Sequence, residues 1–133
     1  MNIRIAAVSD DGTTISQHFG RAQKYIILTI ENGRITNREQ RQKLGHSHFA
    51  GEHHEHAEPH NHGFSPAEQD RHSRMLESIL DCQILLARGM GSGAYYSIQQ
   101  AGITPIITTI ANIDEAALEA AKGTLDDHTE KLH

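Results

Sequence analysis

The chain has no tryptophan, a single cysteine and three prolines in 133 residues. One cysteine excludes an internal disulfide. It also excludes an iron–sulfur cluster held by this chain's thiolates alone, because the usual clusters take four cysteine ligands. There is no 18-residue apolar run and no signal-like apolar segment at the start, which predicts a soluble cytoplasmic protein without a membrane partner. Positive charge is also short: 12 Lys and Arg stand against 17 Asp and Glu, a formal net charge of −5 with histidine neutral. That balance argues against nucleic acid as a partner. Hydrophobic residues make up 37% and aromatics 5%, so part of the chain should lie outside any core. The length suits one domain, which we draw over 1–125 with a polar C-terminal tail over 126–133, and Thr124 to His133 is expected to fray.

What is present reads as alternating strands and helices. Ile3 to Ser9 predicts a first strand and Tyr25 to Ile30 a second. Asn32-Gly33 then marks a tight hairpin turn into a weak edge strand over Arg34 to Arg38. Further on, Ser65-Pro66-Ala67-Glu68 opens a helix in capping-box form. Met75, Leu76, Ile79 and Leu80 supply its apolar stripe. Ile84 to Ala87 reads as a buried strand, Ala94 to Ala101 as a helix closed by Gly102, and Thr104 to Ile110 as a strand. Asn112 should cap a last helix, with Gly123 as its stop. The order is β-β-β, insertion, α-β-α-β-α, which implies a mixed sheet with helices packed on it.

Between these elements, about residues 43–64 differ in kind. They carry His46, His48, His53, His54, His56, His60 and His62 among almost no aliphatic residues, and read as a mobile insertion. Imidazoles gathered from such a loop suit a divalent metal such as zinc or nickel, with Glu52, Glu55 and Glu58 as further donors. One functional reading is therefore a metal buffer or chaperone.

The other chemistry lies at two loops. Ile84-Leu85-Leu86-Ala87-Arg88-Gly89-Met90-Gly91-Ser92-Gly93-Ala94 is a strand, a glycine loop and a helix start. That arrangement presents backbone N–H groups and a helix dipole to an anion. The glycines are expected to give close backbone approach, with positive φ at Gly91. A phosphate- or nucleotide-binding enzyme is one reading of this loop, but Gly93 is followed by Ala94 and not by the lysine and hydroxyl pair of a P-loop. Asp10 and Asp11 follow the first strand without partner carboxylates at other strand ends, and no serine has an identifiable base. No catalytic residue is assigned, so the reading is of a protein that is not an enzyme.

Ser16-Gln17-His18-Phe19-Gly20-Arg21-Ala22 after one strand, joined to Arg88-Gly89-Met90-Gly91 after a later one, resembles the dinitrogenase iron–molybdenum cofactor biosynthesis family. These are NifX-type proteins and the C-terminal domain of NifB. The likeness covers Met1 to about Lys43 and about Ser65 to Leu125. It implies a ribonuclease-H-like three-layer α/β fold and binding of a molybdenum–iron–sulfur cluster or its precursor, with donor and recipient proteins as partners. A cluster would arrive pre-assembled. His18 could then donate a nitrogen, while Phe19, Gly20, Arg21, Arg88, Gly89, Met90, Gly91, Ser92 and Gly93 surround it and offset its charge. Such a protein is a carrier. The resemblance says nothing about the histidine tract.

Overall fold

Alternation along the first strand sorts its side chains onto two faces, and the protein covers both. The computed structural model describes residues 2–43 and 74–132. Its strands are β1 (Asn2–Ser9), β2 (Lys24–Glu31), β3 (Arg34–Gln42), β4 (Ile84–Ala87) and β5 (Thr104–Ile107). They form one sheet in the order β3-β2-β1-β4-β5. β1 is antiparallel to β2 and β2 to β3, whereas β1, β4 and β5 run parallel, so the sheet is mixed. Among the described residues, two α-helices have both ends defined, α1 (Ser92–Gln100) and α2 (Ile113–Lys122).

Ala6, Val8, Leu85 and Ala87 point to one face, where they are buried with Ala94 and Ile98 of α1 and with Met75, Leu76 and Ile79. Ile5, Ala7 and Leu86 point to the other, against Ile113, Ala116, Ala117 and Ala120 of α2. Small residues in β1 and α2 let this helix lie close on the sheet. Leu80 departs from the expected stripe. The helical residues 74–76 tighten into a 3-10 turn over Glu77–Ile79, which leaves Leu80 59% exposed.

Several local signals are realised as read. Asn32 (φ 53°) and Gly33 (φ 80°) make the hairpin turn, and Gly123 (φ 78°) ends α2. β3 lies at the sheet edge and runs to Gln42, further than its weak apolar pattern indicated. Asn112 caps α2 by accepting from the Glu115 N–H at 2.8 Å. Asn112→Ala should therefore lower stability by about 1 kcal/mol in a denaturant titration. A loss within error would show that the cap is redundant.

At the opposite edge, the expectation of a frayed tail fails for residues 124–132. β5 exposes an unpaired edge that is blunted in two ways. Pro105 removes one donor, and the returning tail pairs with Ile107. Asp127 Oδ1 accepts from the Ile107 N–H at 2.9 Å, and the His128 N–H donates to the Ile107 carbonyl at 2.8 Å. A polar tail settles here because its polar groups satisfy an edge that water would otherwise solvate. The histidine tract and the Ser65–Glu68 helix start lie outside the described residues.

Candidate functional site

Because β1, β4 and β5 are parallel, their carboxyl ends open at one end of the sheet, where ligands of such sheets bind. The loop leaving β1 is shaped by its own side chains. Asp11 Oδ1 accepts from the N–H groups of Thr13 (2.9 Å) and Thr14 (2.7 Å), which holds its carboxyl well below the usual range. Ser9 Oγ accepts from the Gly12 N–H at 2.8 Å and donates to the Thr14 carbonyl at 2.7 Å. Asp10 accepts from the Gln23 N–H at 2.9 Å. Both carboxylates thus work as turn formers.

The chain then comes back alongside the exit of β4. Ser16 N–H donates to the Val8 carbonyl at 2.8 Å, Arg88 N–H to Ser16 at 2.9 Å, and Phe19 N–H to Gly89 at 3.1 Å. The first bond returns the loop to β1, and the other two fasten the two loops together. They also explain Gly89, since a Cβ built there would overlap the Gln17 carbonyl oxygen. Gly89 is glycine because of crowding, and positive φ has no part in this loop. The described glycines with positive φ are Gly12, Gly33, Gly102 and Gly123, whereas Gly91 sits at φ −82°, ψ 160°, open to any residue. α1 begins at Ser92, two residues before the expected start, with Gly91 as N-cap and no side-chain cap.

The His18–Ala22 string is a turn in which the N–H groups of Arg21 (3.1 Å) and Ala22 (3.0 Å) donate to the His18 carbonyl. Phe19 and Ala22 are buried beneath it, and His18 and Arg21 are exposed. Lys43 supports the turn from below. Its Nζ lies 4.8 Å from the centre of the Phe19 ring and 3.5 Å from the Gly20 carbonyl. Desolvation by burial lowers its pKa to about 8. On the β4 side, Met90 is buried in the same core and anchors the second loop.

A cleft of about 410 Å³ opens where these loops meet. The β1 loop contributes Gln17 and His18, and the β4 loop contributes Arg88 and Gly89. Thr108 and Thr109 join from the end of β5, with Lys131 from the tail. Arg88 is half-buried with Nη1 3.5 Å from the Ile15 carbonyl, and Thr108 is buried, its N–H on Ala87 at 2.9 Å. Of the ten residues read as cofactor-binding, His18, Arg88 and Gly89 line this cleft. Phe19 and Met90 hold its loops from below, and Gly20, Arg21, Gly91, Ser92 and Gly93 lie outside its lining. Sequence reasoning missed Gln17, Thr108, Thr109 and Lys131. The rule that pointed to the ends of β1 and β4 applies equally to β5 and reaches the two threonines. Lys131 has no such signal.

Imidazole, guanidinium and ammonium line the cleft, and no carboxylate does among the described residues. That donor set favours an anion. Cys82, by contrast, is buried, and burial with the neighbouring Asp81 charge pushes its thiol up to about 12, so it stays protonated and inert. Among the described residues, no three His, Cys, Asp or Glu side chains gather to hold a metal ion. None of their helices is long and apolar enough to cross a membrane.

Fold and cleft define a mixed-sheet α/β protein with a polar, cation-lined opening at the ends of its parallel strands. The sequence profile of the dinitrogenase iron-molybdenum cofactor family matches residues 1–123, and the chain belongs to that family. An uncharacterized protein of Methanocaldococcus jannaschii is 26% identical over 120 residues, covering 90% of this chain and 87% of its own. Among solved structures, a candidate dinitrogenase from the same organism superposes with a TM-score of 0.61 at 12% identity, covering 95% of this chain and 94% of that one. A candidate NifB protein from Thermotoga gives 0.58 at 21% identity, over 96% and 94%. Both structures share the fold.

Proposed function

We propose that this protein binds and carries a molybdenum–iron–sulfur type cluster or its thiometallate precursor, between a donor and a recipient protein, without turning it over. Family membership supports an accessory role in cofactor biosynthesis. The observation that carries the finer reading is the cleft itself, in which His18, Arg88 and Lys131 converge without a carboxylate among the described lining residues. A sulfide-bearing anion suits such a site. The guanidinium and ammonium balance its charge, the threonine hydroxyls and exposed imidazole reach its edges, and the imidazole nitrogen can ligate a metal. One imidazole cannot assemble a cluster but can hold a finished one, and weak ligation suits cargo that must be released. The ribonuclease-H-like description of the fold belongs to the same reading.

Anaerobic titration with tetrathiomolybdate, followed by visible absorption, tests the proposal. His18→Ala and Arg88→Gln should each weaken binding by roughly 10-fold or more, the size of a lost ligand or charge-assisted hydrogen bond. Circular dichroism of each variant separates lost binding from misfolding. Replacing residues 45–63 with a short Gly/Ser linker should leave binding intact. If folded His18→Ala and Arg88→Gln bind normally while the linker variant does not, the histidine tract is the binding element and the carrier reading of the cleft falls; zinc or nickel titration of the same variants then tests the divalent-metal buffer reading.

A further inference from the structure

After α2 the chain does not leave the fold. It recrosses the β5 edge on the two hydrogen bonds to Ile107, and Asp127 Oδ2 accepts from the Tyr95 hydroxyl of α1 at 2.5 Å. One carboxylate therefore ties the tail to a strand and to a helix. A 3-10 turn follows over Thr129–Lys131. Leu132 then bridges to Met90 in parallel fashion and packs on the α1-side core. Pinned at Asp127 and again at Leu132, the short turn between has little freedom in where it puts Lys131, and it puts that side chain on the cleft.

We propose that residues 124–132 form a strap that completes the cleft, with Lys131 as its binding cation and Asp127 as the residue that positions it. The inference rests on the anion-binding reading of the cleft and adds to it the element that adjusts affinity. Apart from Leu125 and Leu132, which pack on the two cores, the strap buries little and hangs on few hydrogen bonds, so its part beyond Leu125 can open without unfolding the sheet. Opening it removes one of the three cationic or protonatable lining groups. A carrier needs such a step at hand-over, because the recipient must compete with a site that has become weaker.

The test uses the full chain and tetrathiomolybdate under anaerobic conditions. Lys131→Gln should weaken binding roughly 10-fold, as expected for a lost charge-assisted contact, and Lys131→Arg should restore most of it. Asp127→Ala should weaken binding several-fold by mispositioning Lys131. Combined with Lys131→Gln, it should then add less than about 2-fold, since residues acting through one contact are not additive. Hydrogen exchange supplies a readout independent of ligand. The Ile107 and His128 amides should exchange faster than the Leu85 and Leu86 amides in the wild type, and faster still in Asp127→Ala, while Leu85 and Leu86 stay protected. If His18→Ala weakens binding but Lys131→Gln does not, the strap supplies no cation, and the strap proposal alone falls. If the Asp127 and Lys131 effects add fully, Asp127 does not act through Lys131 and its positioning role is overturned. A wild type that binds no thiomolybdate overturns the anion-binding reading and the strap with it.

Discussion

Gly89→Ala is expected to be among the most damaging single-methyl changes in this protein. The added Cβ would overlap the Gln17 carbonyl oxygen, a backbone atom that cannot rotate away. Relief requires the β1 loop to separate from the β4 exit. That would break the Phe19 N–H to Gly89 and Arg88 N–H to Ser16 bonds (3.1 and 2.9 Å) that join them. Forced overpacking of this kind typically costs about 1–3 kcal/mol, and loss of the two bonds adds roughly 1 kcal/mol each. Chemical denaturation should show a drop of about 3–5 kcal/mol, and thiomolybdate binding should fall even in the folded fraction. Gly91→Ala is the control. With φ −82° and ψ 160° at Gly91, the change introduces no backbone strain and should cost clearly less than Gly89→Ala. Equal losses in both variants would mean that glycine is needed along the loop for flexibility and not for contact at one point.

Burial of Lys43 gives the second large effect. Its folded pKa of about 8 lies below the usual 10.5, because desolvation disfavours the ammonium more than Asp10 favours it. Between those values the unfolded chain binds more protons than the folded one, so stability rises with pH across that window and is flat below about 8. At about 1.4 kcal/mol per unit, the full change is on the order of 3–4 kcal/mol, most of it reached by pH 10.5. Cys82 works in the opposite direction. Its thiol is pushed up to about 12, so stability is lost once unfolded thiols ionise above about 9. The difference between wild type and Lys43→Met removes that contribution and isolates the lysine. Relative to Lys43→Met, the wild type should gain about 2–3 kcal/mol in denaturant titrations between pH 7.5 and 10.5. A constant difference would show that Lys43 is solvated in the folded protein.

Short-range signals fixed most of the elements from the sequence alone. Asn32-Gly33, Asn112 with Glu115, and Gly123 act through conformational preference and hydrogen bonds within a few residues, so their outcome depends little on distant partners. Strand and helix order followed from apolar runs for the same reason, and family membership was legible in His18–Ala22 joined to Arg88–Gly91. Tertiary structure decided what depends on contact between remote segments. Whether a glycine is needed for φ or for space is a question about its neighbour, and the neighbour of Gly89 is Gln17, seventy-two positions away. Phe19 and Met90 sit in the strings that carry the resemblance, but packing turns them inward as anchors and leaves His18 and Arg88 to line the cleft. The tail shows the same limit. Nothing local in Asp127 or Lys131 predicts order. The tail is ordered because β5 is left with an unsatisfied edge, and only the assembled sheet reveals that edge.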